Sequence, residues 1–174
     1  MLILRNYLYR IYVVLMPAKQ TPVRSVAVED LDKIAEIFAQ YVTNGIITFE
    51  EVPSAVVGRR SELRGCRVRL CASPWRDKPA YRDTVEDTMY LAPEWTGKGL
   101  GRLLLDRLVA ECTQPGVRQV IAVIADTSGL TSAALHYGCG FIDARRLEAV
   151  GYMHGRWVNT LLLQRDLDTM GPYR

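Results

Sequence analysis

The sequence predicts one mixed α/β domain, and three observations carry that expectation. Strand-like and helix-like periodicities alternate along the chain. A bare turn, "TGKGLG", joins a predicted strand directly to a leucine-rich helix. No repeat, low-complexity run or Pro/Gly/Ser-rich linker interrupts the 174 residues. That length suits a single core, with 49% of residues hydrophobic and 24% charged.

The opening stretch, "MLILRNYLYRIYVVLMPAKQ", is apolar, but Arg5, Asn6 and Arg10 interrupt it. It therefore lacks the run of about 20 apolar residues that a membrane-spanning helix needs, and no small-residue cleavage site follows. Residues 1–20 read as an N-terminal extension and 21–174 as the folded domain. Peripheral membrane anchoring by the extension is the lesser reading.

Within the domain, "VRSVAV" (23–28) is a short strand. Glu29 and Asp30 open a helix whose Leu31, Ile34, Ile37 or Phe38, and Tyr41 recur at helical spacing, with Asn44-Gly45 as the stop. "IITFE" (46–50) is extended, and 54–64 reads as a weaker, arginine-rich helix. "CRVRLCA" (66–72) alternates as a strand does, and "DTVEDTMYLA" (83–92) is a strand running into the glycine turn. Beyond the turn, Leu100, Leu103, Leu104, Leu108 and Cys112 share a helical face that Pro115-Gly116 ends. "RQVIAVIA" (118–125) is continuously apolar, which marks a strand buried on both faces. "SAALHYGCGF" (132–141) is a short helix closed by Gly138 and Gly140. Two strands around "GYMHGR", roughly 141–150 and 157–166, form an antiparallel hairpin.

Charge and cysteines narrow the function. A net charge of +3, from 22 basic and 19 acidic side chains, is too mild to indicate nucleic acid, yet it tolerates an anionic ligand. The arginines are dispersed, with no stacking motif beside them. Four cysteines (Cys66, Cys71, Cys112, Cys139) form no CxxC pair and no zinc-like spacing with the two histidines, His136 and His154. Free thiols in a reducing cytoplasm, and no metal, are expected.

The glycine turn carries the chemistry. A Walker loop requires G-x-x-x-x-G-K-[ST], and here Ala92 occupies the first glycine position and Gly99 follows Lys98. A dinucleotide fingerprint requires G-x-G-x-x-G, and "GKGLGR" places Arg102 at its last glycine. Strand, x-x-G-x-G, helix remains: backbone N–H groups converging on an anion at a helix N-terminus, aided by the macrodipole. The plain alternative is a turn that needs only positive φ.

"MYLAPEWTGKGLGRLLLDRLVAE" resembles the coenzyme-A signature, Q/R-x-x-G-x-G/A, of the GNAT N-acetyltransferase superfamily. "SPWRDKPAYRDTVEDTMYLAPEWTGKGLG", "AALHYGCGF" and "GYMHGRWVN" extend the resemblance to the phosphinothricin acetyltransferase group, from about Val23 to Leu167. It implies the GNAT fold, a twisted mixed sheet of about six or seven strands flanked by helices, with two parallel strands splayed to admit acetyl-CoA. The main chain of Met89, Tyr90 and Leu91 is then expected to meet the pantetheine arm, and the amides of Gly97, Lys98, Gly99, Leu100, Gly101 and Arg102 the pyrophosphate. Glu86 takes the position of a general base, with Asp87 on the opposite face of the pleat. His136 occupies a slot where most of the superfamily has tyrosine; it either protonates the departing thiolate or assists Glu86, against the bland reading of a satisfied, half-buried histidine. Phe49, Trp75, Arg76, Tyr81, Arg82 and Trp157 are the substrate-wall candidates, the arginines as clamps for a carboxylate or phosphinate. The implied substrate is a small amino-acid-like amine of the phosphinothricin or methionine sulfone/sulfoximine type, and a homodimer is also implied.

The chain departs from this pattern at several points. Thr96 replaces the preferred Gln or Arg, Gly129 an asparagine, Met153 a lysine and Asn159 an aspartate. Between Phe49 and Trp75, "VVGRRSELRGCRVRLCASPW" has room for one strand where relatives form two. The expectation is a sheet lacking one N-terminal strand, with an exposed or poorly paired edge at 66–72. Two readings stay open: an active acetyltransferase, or a degenerate coenzyme-A-binding protein with a binding or regulatory role.

Overall fold

The computed structural model describes residues 10–14, 23–25, 31–44, 68–113, 116–126 and 131–167. In chain order they form β1 (Arg10–Val14), β2 (Val23–Ser25), α1 (Leu31–Asn44), β3 (Val68–Pro74), β4 (Thr84–Leu91), α2 (Leu100–Thr113), β5 (Gln119–Asp126), α3 (Thr131–Gly138), β6 (Ile142–Met153) and β7 (Arg156–Asp166). The expected extended segment at 46–50 and helix at 54–64 lie outside the described residues.

The strands make one seven-stranded sheet in the order β2-β1-β3-β4-β5-β7-β6. Among the described strands, β4 and β5 alone pair in parallel. Alternation along β4 sends successive side chains to opposite faces. Val85, Met89 and Leu91 join Leu100, Leu104, Leu105, Leu108, Val120 and Leu163 in the main core, under α2 and α3. Tyr90 and Ala92 pack instead with Ile37 and Val42 of α1. The α2 stripe is Leu100, Leu104, Leu105, Leu108, Val109 and Cys112. Leu103, expected on that face, is 43% exposed, because the stripe leans toward i+4 and i+5.

The expected gap at the N-terminal side of the sheet is filled. β1 lies between β2 and β3, antiparallel to both, with Tyr12 opposite Ser25 on one side and Leu70 on the other. Within the edge expected at 66–72, Leu70–Ala72 are therefore paired with β1, and a boundary at residue 20 does not separate sheet from extension. "RIYVV" suits the place, since β-branched and aromatic residues favour a pleated surface and an open edge on β3 invites pairing.

The C-terminal hairpin is longer and tighter than expected. Its turn is His154-Gly155 alone, with φ of 48° and 78°, the positive pair that a two-residue hairpin turn demands. Ala149 also has positive φ, at a register shift between Leu147 and Gly151. The Asn159 side-chain oxygen accepts the Ala149 N–H at 2.8 Å and so holds this irregularity in place. Among the described residues, no helix is long and apolar enough to cross a membrane.

Candidate active site

A cleft opens where the parallel pair separates. β4 and β5 are in register from Thr84↔Gln119 to Asp87↔Ala122 and no further. β4 continues against β3 to Leu91, while β5 continues against β7 to Asp126. Beyond Asp87 the β4–β5 ladder does not continue, and a strand edge of this kind can take up added hydrogen bonds. The Leu91 carbonyl is partly used already: the Tyr41 hydroxyl of α1 donates to it at 2.5 Å. Tyr41 also stacks on Tyr90, with ring centroids 5.3 Å apart.

At the mouth of this cleft sits the glycine turn. A single 3₁₀ turn, Pro93–Trp95, leads in, and both the N–H and the hydroxyl of Thr96 donate back to the Pro93 carbonyl. Gly97 and Gly99 have φ of 71° and 79°, and a Cβ at either would meet no atom within 4 Å. Left-handed backbone bordering open space suits the close approach of a ligand. The first helical bond runs from Leu103 N–H to the Gly99 carbonyl at 3.2 Å, so the amides just before it have no acceptor within the helix. Gly101 also meets a packing requirement of its own. A Cβ there would lie 2.9 Å from Leu135 Cδ2, so glycine lets α2 pack close to α3. Leu100 is a core residue. The Lys98 ammonium lies 4.3 Å from the centre of the Trp95 ring, and Arg102 pairs with Asp106 at 3.6 Å.

Glu86 lies on the α1 face of β4, half-buried, beside Ser73 of β3 and Ile121 of β5 in register. Burial raises its pKa above the ordinary value, Asp87's charge raises it further, and Arg76 partly offsets both. Trp75 is held next to it by its N–H, which donates to the Thr84 carbonyl at 3.2 Å, and the Arg76 guanidinium lies 4.6 Å from the Trp75 ring centre. Trp75, Arg76 and Glu86 are thus brought to one region.

Tyr81 is exposed on the Pro79–Tyr81 turn, and Arg82 bonds the Pro79 carbonyl at 3.3 Å and faces Asp83 at 3.7 Å. Trp157 does not close a pocket around Glu86. It is 66% exposed and stacks on Tyr152 at 5.0 Å, and the strand rise of about 3.3 Å per residue puts it roughly 20 Å along β7 from the level of Glu86. Phe49 lies outside the described residues.

His136 is not the partner of Glu86. It is 3% exposed on α3, and its Nε2 lies 3.1 Å from Asp87 Oδ2, on the opposite face of β4. Its Nδ1 lies 2.6 Å from the Ser132 carbonyl oxygen, and Phe141 meets the ring edge-on at 5.0 Å. Asp87 was legible only as a residue turned away from Glu86. The signal for its role was an aspartate at a core-facing strand position, which must find a partner when buried. Tyr41 read as one more apolar position of α1, and nothing in the spacing marked its reach to Leu91.

Comparison with known proteins places the chain among these geometries. The Acetyltransferase (GNAT) family model matches residues 48–141. A phosphinothricin N-acetyltransferase of Alcaligenes faecalis is 38% identical over 165 residues, covering 84% of this chain and 82% of its own. An L-methionine sulfoximine/L-methionine sulfone acetyltransferase of Pseudomonas paraeruginosa is 29% identical over 164 residues, covering 84% and 94%. The crystal structure of a GNAT superfamily phosphinothricin acetyltransferase from Sinorhizobium meliloti, in complex with AcCoA, superposes with a TM-score of 0.75 at 37% identity, covering 82% of this chain and 86% of that one.

Proposed function

The chain belongs to the GNAT acetyltransferase family and is an acetyltransferase, and on that premise we propose that it acetylates the amine of a small amino-acid-like substrate from acetyl-CoA, with Glu86 as general base. The observation that carries this reading is the meeting of three features: the β4–β5 cleft, the glycine turn at its mouth and a half-buried carboxylate at its inner end. The cleft fits the cofactor. The Gly97–Arg102 amides suit a pyrophosphate, and the stretch of β4 beyond its ladder with β5 suits the amides of the pantetheine arm as an added strand would.

Acetyl-CoA supplies the acetyl group as a thioester. Glu86 then takes the proton that an ammonium must lose before it can attack, a task its raised pKa fits better than an ordinary carboxylate would. Trp75 offers a flat apolar wall, and Arg76 offers a two-pronged donor to a carboxylate, phosphinate or sulfone oxygen. The relatives' substrates, phosphinothricin and methionine sulfoximine or sulfone, combine an α-amine with a tetrahedral side-chain group, which favours that class here. Exposed apolar residues along the outer hairpin, among them Ile142, Val150, Tyr152 and Trp157, support a homodimer.

Thiol release from acetyl-CoA against a panel of amines tests the reading. Saturable release is expected with phosphinothricin or methionine sulfone, and little with simple alkylamines. Silence with every amine, in a protein that still binds coenzyme A, would favour a binding role. The cradle has its own test. Gly99→Val forces a branched residue to positive φ and fills the open space, so calorimetry should find coenzyme-A binding abolished in a folded protein. Unchanged affinity would remove the turn from the site.

A further inference from the structure

The proposed cofactor path ends at a buried ion pair that the reaction scheme above does not use. From the glycine turn, a pantetheine arm lying along Leu91 to Thr88 reaches the point where β4 and β5 rejoin, at Asp87↔Ala122. Directly on the α3 side of that vertex is the Asp87–His136 pair, with side chains 2% and 4% exposed. We propose that Asp87 is a positioning residue for acetyl transfer, holding His136 as a doubly protonated imidazolium whose fixed positive charge lies at the vertex where the leaving thiolate forms. This rests on the acetyltransferase reading and deepens it.

Proton counting supports the assignment. The Ser132 carbonyl can only accept, so Nδ1 at 2.6 Å must carry a hydrogen. An ionised Asp87 can only accept, so Nε2 at 3.1 Å must carry one too. A ring bonded this way has no free nitrogen and cannot serve as a base. Asp87 Oδ1 is buried with no hydrogen-bond partner among the described residues. The carboxylate's charge is therefore balanced mainly by the ring, which strengthens its hold on the ring's proton. Burial alone would lower the His136 pKa, but the hydrogen bond and charge of Asp87, then the Ser132 carbonyl, outweigh it and leave it raised. Around the ring, Asp87 of β4 is the charged group, Ser132 supplies the carbonyl and Phe141 the apolar cover. A cation held by a buried partner needs no reorganisation when negative charge develops beside it.

The chain's two histidines make the test clean. In the full-length ¹⁵N-labelled protein, long-range proton–nitrogen spectra should show two ring systems, with exposed His154 as the internal reference. His136 is expected to keep the imidazolium pattern at neutral pH and to lose it only above the ordinary histidine range, the direction in which Asp87 moves it. In Asp87→Asn it should become a neutral ring protonated on Nδ1. A neutral His136 in the unmodified protein at pH 7 would overturn the proposal, whatever the activity.

Turnover supplies the second readout. Asp87→Asn should lower kcat roughly 10- to 100-fold, somewhat less than loss of a donor in direct contact, with the KM for acetyl-CoA little changed. His136→Gln should match it, and the double variant should lose no more than either single, because the two residues act as one unit. If Asp87→Asn does not fold, His136→Gln and the unmodified protein's spectrum still decide. An imidazolium in the unmodified protein together with undiminished kcat in Asp87→Asn and His136→Gln would leave the pair a structural bolt and sink the positioning role. Absence of turnover in the unmodified protein would instead sink the acetyltransferase reading on which it rests.

Discussion

Glu86→Gln is expected to lose about 10²–10⁴-fold in turnover at neutral pH while acetyl-CoA affinity holds, the usual contribution of a positioned general base. The substitution keeps the shape of the side chain and removes only its proton acceptor. Glu86 has the surroundings of such a base: burial and the neighbouring Asp87 charge raise its pKa, with Arg76 as a partial brake. The sign follows. The ionised form is the working one, so activity should fall as pH drops through the raised value, at a higher pH than an ordinary glutamate would give. Steady-state kinetics paired with calorimetry separate the two effects. A variant with full turnover at pH 7 would remove Glu86 from the reaction, and since both His136 nitrogens face acceptors, a base would have to be sought elsewhere.

Removing residues 1–20 should destabilise the protein out of proportion to their number. β1 is an interior strand, in register with β2 on one side and β3 on the other. Its loss strips two ladders at once, and at about 1 kcal/mol net per hydrogen bond the penalty comes to about 3–5 kcal/mol. For a chain of this size that lowers Tm by roughly 10 °C. Amide exchange gives the local readout: protection across Val68–Ala72 should resemble β4 in the full chain and collapse in the truncated one. If the truncated protein does not fold, Tyr12→Pro gives a milder version, since proline in a middle strand removes a ladder donor. An unchanged Tm in both variants would show that β1 contributes nothing to the sheet.

That strand also marks where sequence reasoning stopped. The α/β alternation, the glycine turn, the leucine helix and the two strands that border the cleft are legible, because each rests on local periodicity or on a backbone requirement such as the positive φ of Gly97 and Gly99. That the two strands run parallel and splay is implied only by the family resemblance. The sequence also showed too few strands between Phe49 and Trp75. It did not show that the vacancy would be filled from upstream, because strand order is a long-range choice that periodicity does not encode. The site divided along the same line. Glu86 on β4 and Trp75 and Arg76 just past the end of β3 lie in one region, whereas Trp157 lies far along β7. His136 was legible as chemistry, but its partner was not. A helix and a strand 49 residues apart had to meet before Asp87 could claim it.

The most direct measurement of the central claim, that Glu86 takes the proton from the incoming amine, is the pH dependence of kcat/KM for the amine in the unmodified enzyme and in Glu86→Gln. The unmodified profile should level off while most of the substrate is still ammonium, because the enzyme itself removes the proton. The variant's profile should start lower and keep rising with pH as free amine becomes available, so that the two converge in alkali. Parallel profiles, differing by a constant factor or not at all, would contradict the assignment of Glu86 as the base.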